Sequence, residues 1–191
     1  MKPPEPSISD AECVAASRRG DQKAFGQLIQ RYQALVYRFL FHFTGNASDA
    51  EDLTQETFLN LYRKLDLHDP KRKFSAWLLT MARNLAVSQH RRRTPTPLAP
   101  EIVAEAIRDV LPSPESSAVW NETANELHLT IQKLPDDLRE AVIFRYLLDL
   151  QINEIAVLLE LPEGTVKSRV FKARQELRDA LARLERTPTR A

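Results

Sequence analysis

At 191 residues and 21.9 kDa the chain has room for one domain or two small ones, and only 4 glycines among many Leu, Ala, Arg and Glu favour helices over strands. It holds no apolar run approaching the roughly eighteen residues of a membrane span, and Met1-Lys2-Pro3-Pro4 opens without the apolar stretch of a secretion signal. A lone cysteine, Cys13, excludes an internal disulfide and a cysteine-rich metal site and fits a small core filler in a cytoplasmic protein. The net charge of +1 conceals blocks: residues 1–93 carry 15 basic against 10 acidic side chains, 94–133 carry 2 against 6, 134–160 again 2 against 6, and 161–191 carry 8 against 4. Alternating blocks of sign suggest separate surfaces for separate partners, although any one block can be a merely solvated face.

In chain order, a short helix over Asp10–Arg19 ends at Gly20. A long helix from Gln22 carries Phe25, Leu28, Ile29, Tyr32, Leu35, Val36 and Phe39 on a buried stripe, until Thr44-Gly45-Asn46 breaks it. Ser48 is the expected cap of a helix over Asp49–Lys64, with Leu53, Phe58, Leu61 and Leu65 inward. Asp66–Lys73 contains Asp-Pro and reads as a loop. Ser75 then caps Ala76–Arg91, whose apolar face holds Trp77, Leu78, Met81, Leu85 and Ala86. The prolines of 94–100 and 111–114 bracket an acidic stretch of linker composition. Beyond it, Leu134-Pro135-Asp136-Asp137 opens a helix with Leu138, Val142 and Tyr146 on one face and Ala141 and Phe144 beside it. Asn153–Glu160 forms a short helix, Leu161-Pro162 breaks it, and a final helix starts near Glu163. Leu177, Leu181 and Leu184 carry its apolar seam to the end of the chain. The sum is an all-α fold of two small helical domains, 10–93 and 115–186, joined by a flexible linker over 94–114. The second is a helix-turn-helix of about the smallest size that folds alone.

Three surfaces carry function. On the final helix Val166, Val170, Ala173 and Leu177 share one stripe while Ser168, Phe171 and Gln175 share the opposite one, with Lys167 and Lys172 at its shoulders. An aromatic on the polar face suits a helix in a DNA major groove, where lysines meet phosphate or guanine, a hydroxyl meets a base edge and a ring packs on thymine methyls. On the helix 49–64, Asp49, Asp52, Gln55 and Glu56 line one outward face. That face suits a basic protein partner, but it is also what an ordinary acidic surface looks like, and spacing leaves both open. A third cluster, Lys64, His68, Lys71, Arg72, Lys73, Asn84, His90 and Arg91 to Arg93, fits single-stranded nucleic acid. No Cys, His, Asp or Glu stands at ligand spacing from His68, so no metal is expected.

The segments Asp-Ala-Glu-Asp-Leu-Thr-Gln-Glu-Thr-Phe (49–58), Phe-Ser-Ala-Trp-Leu-Leu-Thr-Met-Ala-Arg-Asn (74–84) and Glu-Gly-Thr-Val-Lys-Ser-Arg (163–169) resemble the extracytoplasmic-function (ECF) sigma factors of bacteria, in order and at that family's spacing. The resemblance implies a sigma region 2 domain that binds the polymerase clamp and the promoter −10 element. It also implies a region 4 domain that reads the −35 element, and a linker threading toward the active centre. It assigns Asp49, Asp52, Gln55 and Glu56 to core polymerase. Lys64, His68, Lys71, Lys73 and Asn84 fall to the −10 element, with Asn84 at a position that helps hold an extruded base. Arg145, Thr165, Lys167, Ser168, Arg169, Phe171 and Lys172 fall to the −35 element, with Arg145 toward phosphate. It further implies core polymerase, promoter DNA and an anti-sigma factor as partners, and no catalytic residue, cofactor or small-molecule substrate. Three positions depart from the pattern: His68 where many members carry an aromatic, Glu160 for a turn glycine and Gln151 for a serine cap. A dimeric helix-turn-helix repressor and a recombinase with a helix-turn-helix tail are the competing classes. The Gln55/Glu56 face and the lack of a ligand pocket or dimer seam speak against the first, and the lack of a strand-rich catalytic domain against the second.

Overall fold

The computed structural model describes residues 8–92 and 127–185, and every regular element among them is helical. The first unit comprises α1 (Asp10–Arg18), α2 (Gln22–Thr44), α3 (Ala47–Lys64), a 3-10 turn (Leu65–Leu67) and α4 (Phe74–Arg92). Their limits follow from local chemistry. Ser9 and Glu12 form a reciprocal capping box on α1. Asp21 accepts from the amides of Lys23 and Ala24 at the start of α2, and Gly45, at φ 70°, ends that helix in the left-handed conformation glycine adopts without strain. The cap of α3 is Asn46, whose Oδ1 accepts from Asp49 N at 3.0 Å, and not Ser48; the helix begins two residues before the expected start. Leu28, Val36, Phe39, Leu53, Phe58, Leu61, Leu78 and Ala86 are buried as their spacing predicts, and Cys13 is fully buried.

The second unit comprises a helix described over 127–132 (α5), α6 (Asp136–Val142), a π-helical turn (Ile143–Leu147), α7 (Ile152–Leu159) and α8 (Glu163–Glu185). The π turn corrects one expectation. Leu138 and Val142 point inward, but a wider turn shifts the register beyond them, so Tyr146 swings out to 51% exposure and does not extend their face. Between α7 and α8, Glu160 takes the left-handed conformation at φ 55° and its amide bonds Val157 O, forming the tight turn of the helix-turn-helix. A side chain there carries a strain that glycine lacks. Glu160→Gly is therefore expected to raise the unfolding free energy by about 0.5–1 kcal/mol, after allowance for glycine's greater unfolded-state entropy. A higher urea midpoint at unchanged slope is the expected reading; a lower one would show that the carboxylate stabilises the turn.

The two units do not stand apart. Phe39 of α2 stacks on Phe144 of the π turn, ring centroids 4.8 Å apart and nearly parallel, both fully buried. Arg139 of α6 is buried and donates to four carbonyls: Ile131, Gln132 and Leu134 in its own unit and Phe43 in the other. Gln132 donates to His42 O at 2.7 Å and lies close over Gly45, where a Cβ would stand 2.9 Å from its side chain. His42 and His128, 5.6 Å apart across the seam, are held neutral; burial pushes each imidazole down to about 4, with Arg38 and Arg139 adding to the effect. One continuous apolar core runs through both units. The proline-rich linker, Arg93, and the side chains of Arg91, Arg92 and Leu184 lie outside the described residues.

Candidate functional site

On α3, Asp52, Gln55 and Glu56 are exposed and project from one face; Asp49, half-buried, stands at its N-terminal end with its amide donating to the Asn46 cap. The helix is pinned from behind by Leu53, Thr57, Phe58 and Leu61, all buried, so the acidic side chains are presented from a rigid element. The same face continues into Leu59 and Tyr62, exposed by 57% and 62%, with Tyr62 edge-on to Phe25 at 5.2 Å. Steps of three and four residues from Gln55 and Glu56 would have found both in the sequence. An acidic patch flanked by uncovered apolar side chains differs from an ordinary solvated face and suits a protein partner.

The cluster of Lys64, His68, Lys71, Lys73 and Asn84 divides into exposed and buried members. Lys64 and Lys71 are exposed, and Lys71 lies in a loop shaped by Asp69, whose carboxylate accepts from the Lys71 amide at 2.9 Å. Lys73 is exposed but engaged across the seam by Glu154, whose carboxyl that contact lowers below its usual range. Asn84 is exposed on α4 and receives Arg83 Nη1 at 3.4 Å. His68, by contrast, is buried: its ring packs on Trp77 at 5.0 Å and Phe74 at 5.5 Å, burial lowers its pKa, and Arg18 grips its carbonyl at 2.6 Å. In this arrangement His68 braces the loop from inside instead of offering a face to a base. A cleft of about 660 Å³ opens between this loop and α7, with Trp77 and Thr80 on one wall and Val157 and Glu154 on the other.

On α8, Lys167, Ser168, Phe171 and Lys172 are exposed while Val166, Val170 and Ala173 are buried, so the helix divides as its two stripes predict. Phe171 is 57% exposed, with the Arg174 guanidinium 5.9 Å from its ring centroid. Thr165 is half-buried in the first turn, where its amide bonds Pro162 O. Arg169 turns inward to Glu140 and Asp137. Arg145 is held beside the loop before α7, donating to Leu150 O at 3.2 Å next to Asp149. Glu154 closes the start of α7 by accepting from Gln151 N at 3.0 Å, so the turn is capped although Gln151 stands where a serine is common. Among the described residues no group of three or more His, Cys, Asp or Glu is placed to hold a metal ion, and no helix is long and apolar enough to cross a membrane.

Arg83 and Glu140 were not legible as a pair in the sequence. Nε of Arg83 lies 2.6 Å from Oε2 of Glu140 and Nη2 lies 3.1 Å from Oε1, while Arg169 Nη1 reaches Oε1 at 3.3 Å. Burial pushes the Glu140 carboxyl up, and the two guanidiniums oppose that shift. Fifty-seven residues separate Arg83 from Glu140, and no local periodicity connects them.

Comparison with known proteins agrees with this geometry. The family model for Sigma-70 region 2 matches residues 28–96 and that for Sigma-70 region 4 matches residues 124–186. The chain is 33% identical over 177 residues to the ECF RNA polymerase sigma factor SigW of Bacillus subtilis, covering 86% of this chain and 92% of that protein. It is 34% identical to the RNA polymerase sigma-H factor of Pseudomonas aeruginosa, covering 93% and 96%, and 34% identical to the ECF sigma-E factor of Escherichia coli, covering 89% and 93%. Among solved structures it is similar to CnrH in complex with the cytosolic domain of CnrY, with a TM-score of 0.70 and 26% identity over 91% of this chain and 97% of that one. The fold is also that of the sigma factor RpoE of Bartonella quintana, with a TM-score of 0.68 and 24% identity over 84% and 98%. Sigma factors are initiation factors and not enzymes, which removes the recombinase from consideration, and the match to region 2 beside region 4 sets aside a free-standing helix-turn-helix repressor. An N-terminal unit with an exposed acidic face, joined to a helix-turn-helix with a basic outer face, is here the region 2 and region 4 pair of a bacterial RNA polymerase sigma factor, and the chain belongs to the ECF family.

Proposed function

We propose that the three surfaces divide the work of initiation as follows. The α3 face of Asp49, Asp52, Gln55 and Glu56, extended by Leu59 and Tyr62, docks on the clamp of core polymerase. Lys64, Lys71, Lys73 and Asn84 meet the −10 strand, with His68 supporting their loop. Lys167, Ser168, Phe171 and Lys172 read the −35 element in the major groove, with Thr165, Arg145 and Arg169 beside them. The exposure of an acidic face on α3 and a cationic face on α8, each pinned by its own buried stripe, supports this division best. Basic residues serve polyanionic DNA, and carboxylates repel it. The protein works in the cytoplasm, where polymerase acts on the chromosome, and an anti-sigma factor restrains it. The family supports that restraint, as does the likeness to CnrH, which was solved bound to a partner.

Phe171 is the most direct probe of the −35 assignment. Because it is exposed, with the Arg174 guanidinium beside its ring, Phe171→Ala should leave the fold intact. It should cost about 1–3 kcal/mol in holoenzyme binding and relax preference at one or two −35 positions. Competition binding against a promoter library with single −35 substitutions measures both; uniform weakening at every position would assign the ring to packing and not to readout.

A further inference from the structure

Among the described residues the most exposed large apolar side chain is Leu67, at 75%, in the 3-10 turn between α3 and the loop of Lys71. A single exposed leucine on a slack loop would need no explanation. This one stands on a braced backbone. Arg18, the last residue of α1, donates to Leu65 O through Nε at 3.1 Å and Nη2 at 2.9 Å. Its Nη2 also reaches Asp66 O at 3.3 Å and His68 O at 2.6 Å, so one planar guanidinium gathers three carbonyls of the turn. Leu65 and His68 are buried on either side of the exposed pair, the His68 ring against Phe74 and Trp77. The turn is thus anchored at its flanks, and the Leu67 side chain is held out in solvent. Exposed cations flank it in sequence. Lys64 stands three residues before, the spacing that aligns side chains in a 3-10 turn, and Lys71 and Arg72 follow. Asp66 is the acid beside it, and Arg18 Nε lies 4.0 Å from that carboxylate.

We propose that Leu67 is an apolar wedge that enters the −10 strand where its bases unstack, and that Arg18 is the positioning residue that holds it. The inference rests on this loop facing the −10 strand. A base step that opens loses stacking contact, and an aliphatic side chain pressed into it restores part of that contact. Lysines beside the wedge hold phosphates, but a solvated ammonium on a flexible stem does not separate bases. His68 has its ring turned inward, so the wedge falls to the residue before it. A wedge works only if its backbone does not give way, and Arg18 supplies that stiffness by tying the turn to α1. Arg18 precedes residues 28–96, which match the region 2 model, so the support comes from outside the matched segment.

Holoenzyme reconstituted from core polymerase and the full chain tests both assignments. Permanganate reactivity of −10 thymines follows strand opening on a promoter duplex, and gel shift at low temperature follows closed-complex binding. Leu67→Ser should slow opening about tenfold and leave closed-complex affinity within about twofold of wild type. A template already unpaired over the −10 element should remove the defect. Leu67→Met, which keeps an apolar side chain, should open at the wild-type rate. Arg18→Lys keeps the charge but not the planar fork, and should slow opening as Leu67→Ser does. In the Leu67→Ser background Arg18→Lys should add nothing, because a positioning residue has no effect once the group it positions is gone. Defects that multiply in the double variant would overturn the positioning role of Arg18. Undiminished opening by Leu67→Ser, or a defect that the unpaired template does not relieve, would overturn the wedge. Lys64→Ala combined with Lys71→Ala separates that failure from failure of the −10 reading. A slowed lysine variant beside an unaffected Leu67→Ser would remove the wedge alone, and no effect in either would remove the loop from the −10 strand as well.

Discussion

A chain carrying Gln55→Ala together with Glu56→Lys is expected to bind core RNA polymerase about 100-fold more weakly than wild type, a loss of roughly 3 kcal/mol. Both side chains are exposed on α3 and turn away from the buried residues that hold the helix, so the change should leave thermal stability within about 0.5 kcal/mol. The loss has two sources. Reversing the charge at Glu56 sets like charges against a basic partner, and truncating Gln55 removes a donor and an acceptor beside it. Neither residue belongs to α8, so any DNA affinity of the polymerase-free chain should not fall; replacing an acid by a lysine can only raise its non-specific part. Pull-down with core enzyme, read beside anisotropy of a −35 duplex, measures both. Undiminished recovery of polymerase by the double mutant would remove α3 from the interface.

Arg139→Ala is expected to destabilise the molecule by about 3–5 kcal/mol. The guanidinium is 5% exposed, ends the carbonyls of Ile131, Gln132 and Leu134, reaches Phe43 O at 3.2 Å in the other unit, and lies 5.5 Å from the centre of the Phe43 ring. Removing it leaves four carbonyl oxygens without that donor and opens a hole between α5 and α6. Burial lowers the pKa of Arg139, which records what its desolvation costs, and Asp136 at 3.3 Å offsets part of that. Lysine, a single point of charge, cannot span four acceptors in a plane, so Arg139→Lys should recover less than half of the loss. Chemical denaturation followed by circular dichroism reads both variants; a loss below 1 kcal/mol for Arg139→Ala would mean that water reaches those carbonyls as well as the guanidinium does.

What the sequence made legible was whatever repeats locally. The stripe of α2, the two faces of α8, the break at Leu161-Pro162 and the acidic face of α3 are each written at three- and four-residue spacing, and each stands where that spacing puts it. The motifs carried the family, because three of them fall in one order across both units. Three local features escaped. α4 begins at Phe74, so Ser75 lies inside its first turn and is not its cap. The π turn at Ile143–Leu147 moved Tyr146 outward, and composition does not distinguish such a turn from an α-helix. Asn46 replaced Ser48 as the cap of α3, since both are good caps and the helix takes the one that lengthens it by two residues. The seam between the units was invisible for a different reason. Phe39 on Phe144, Arg83 on Glu140 and Lys73 on Glu154 join residues far apart in sequence. Each partner, taken alone, reads as an ordinary core aromatic or an ordinary surface charge. His68 shows the converse: its neighbours in sequence are charged and loop-like, yet the fold turns its ring onto Phe74 and Trp77.

We propose that this chain specifies promoters only as a subunit of polymerase. Free, it holds its two DNA-reading units against each other, with Arg83 and Lys73 committed to carboxylates of region 4. Core polymerase would hold the units at promoter spacing and turn two weak contacts into one bivalent grip. Gel-shift titration of one promoter duplex at physiological salt, with the free chain and with the reconstituted holoenzyme, tests this directly. Weak, strongly salt-dependent binding is expected of the free chain, and of the holoenzyme tight binding that is lost when the −10 and −35 sequences are scrambled. Nanomolar, sequence-specific binding by the polymerase-free chain would contradict it.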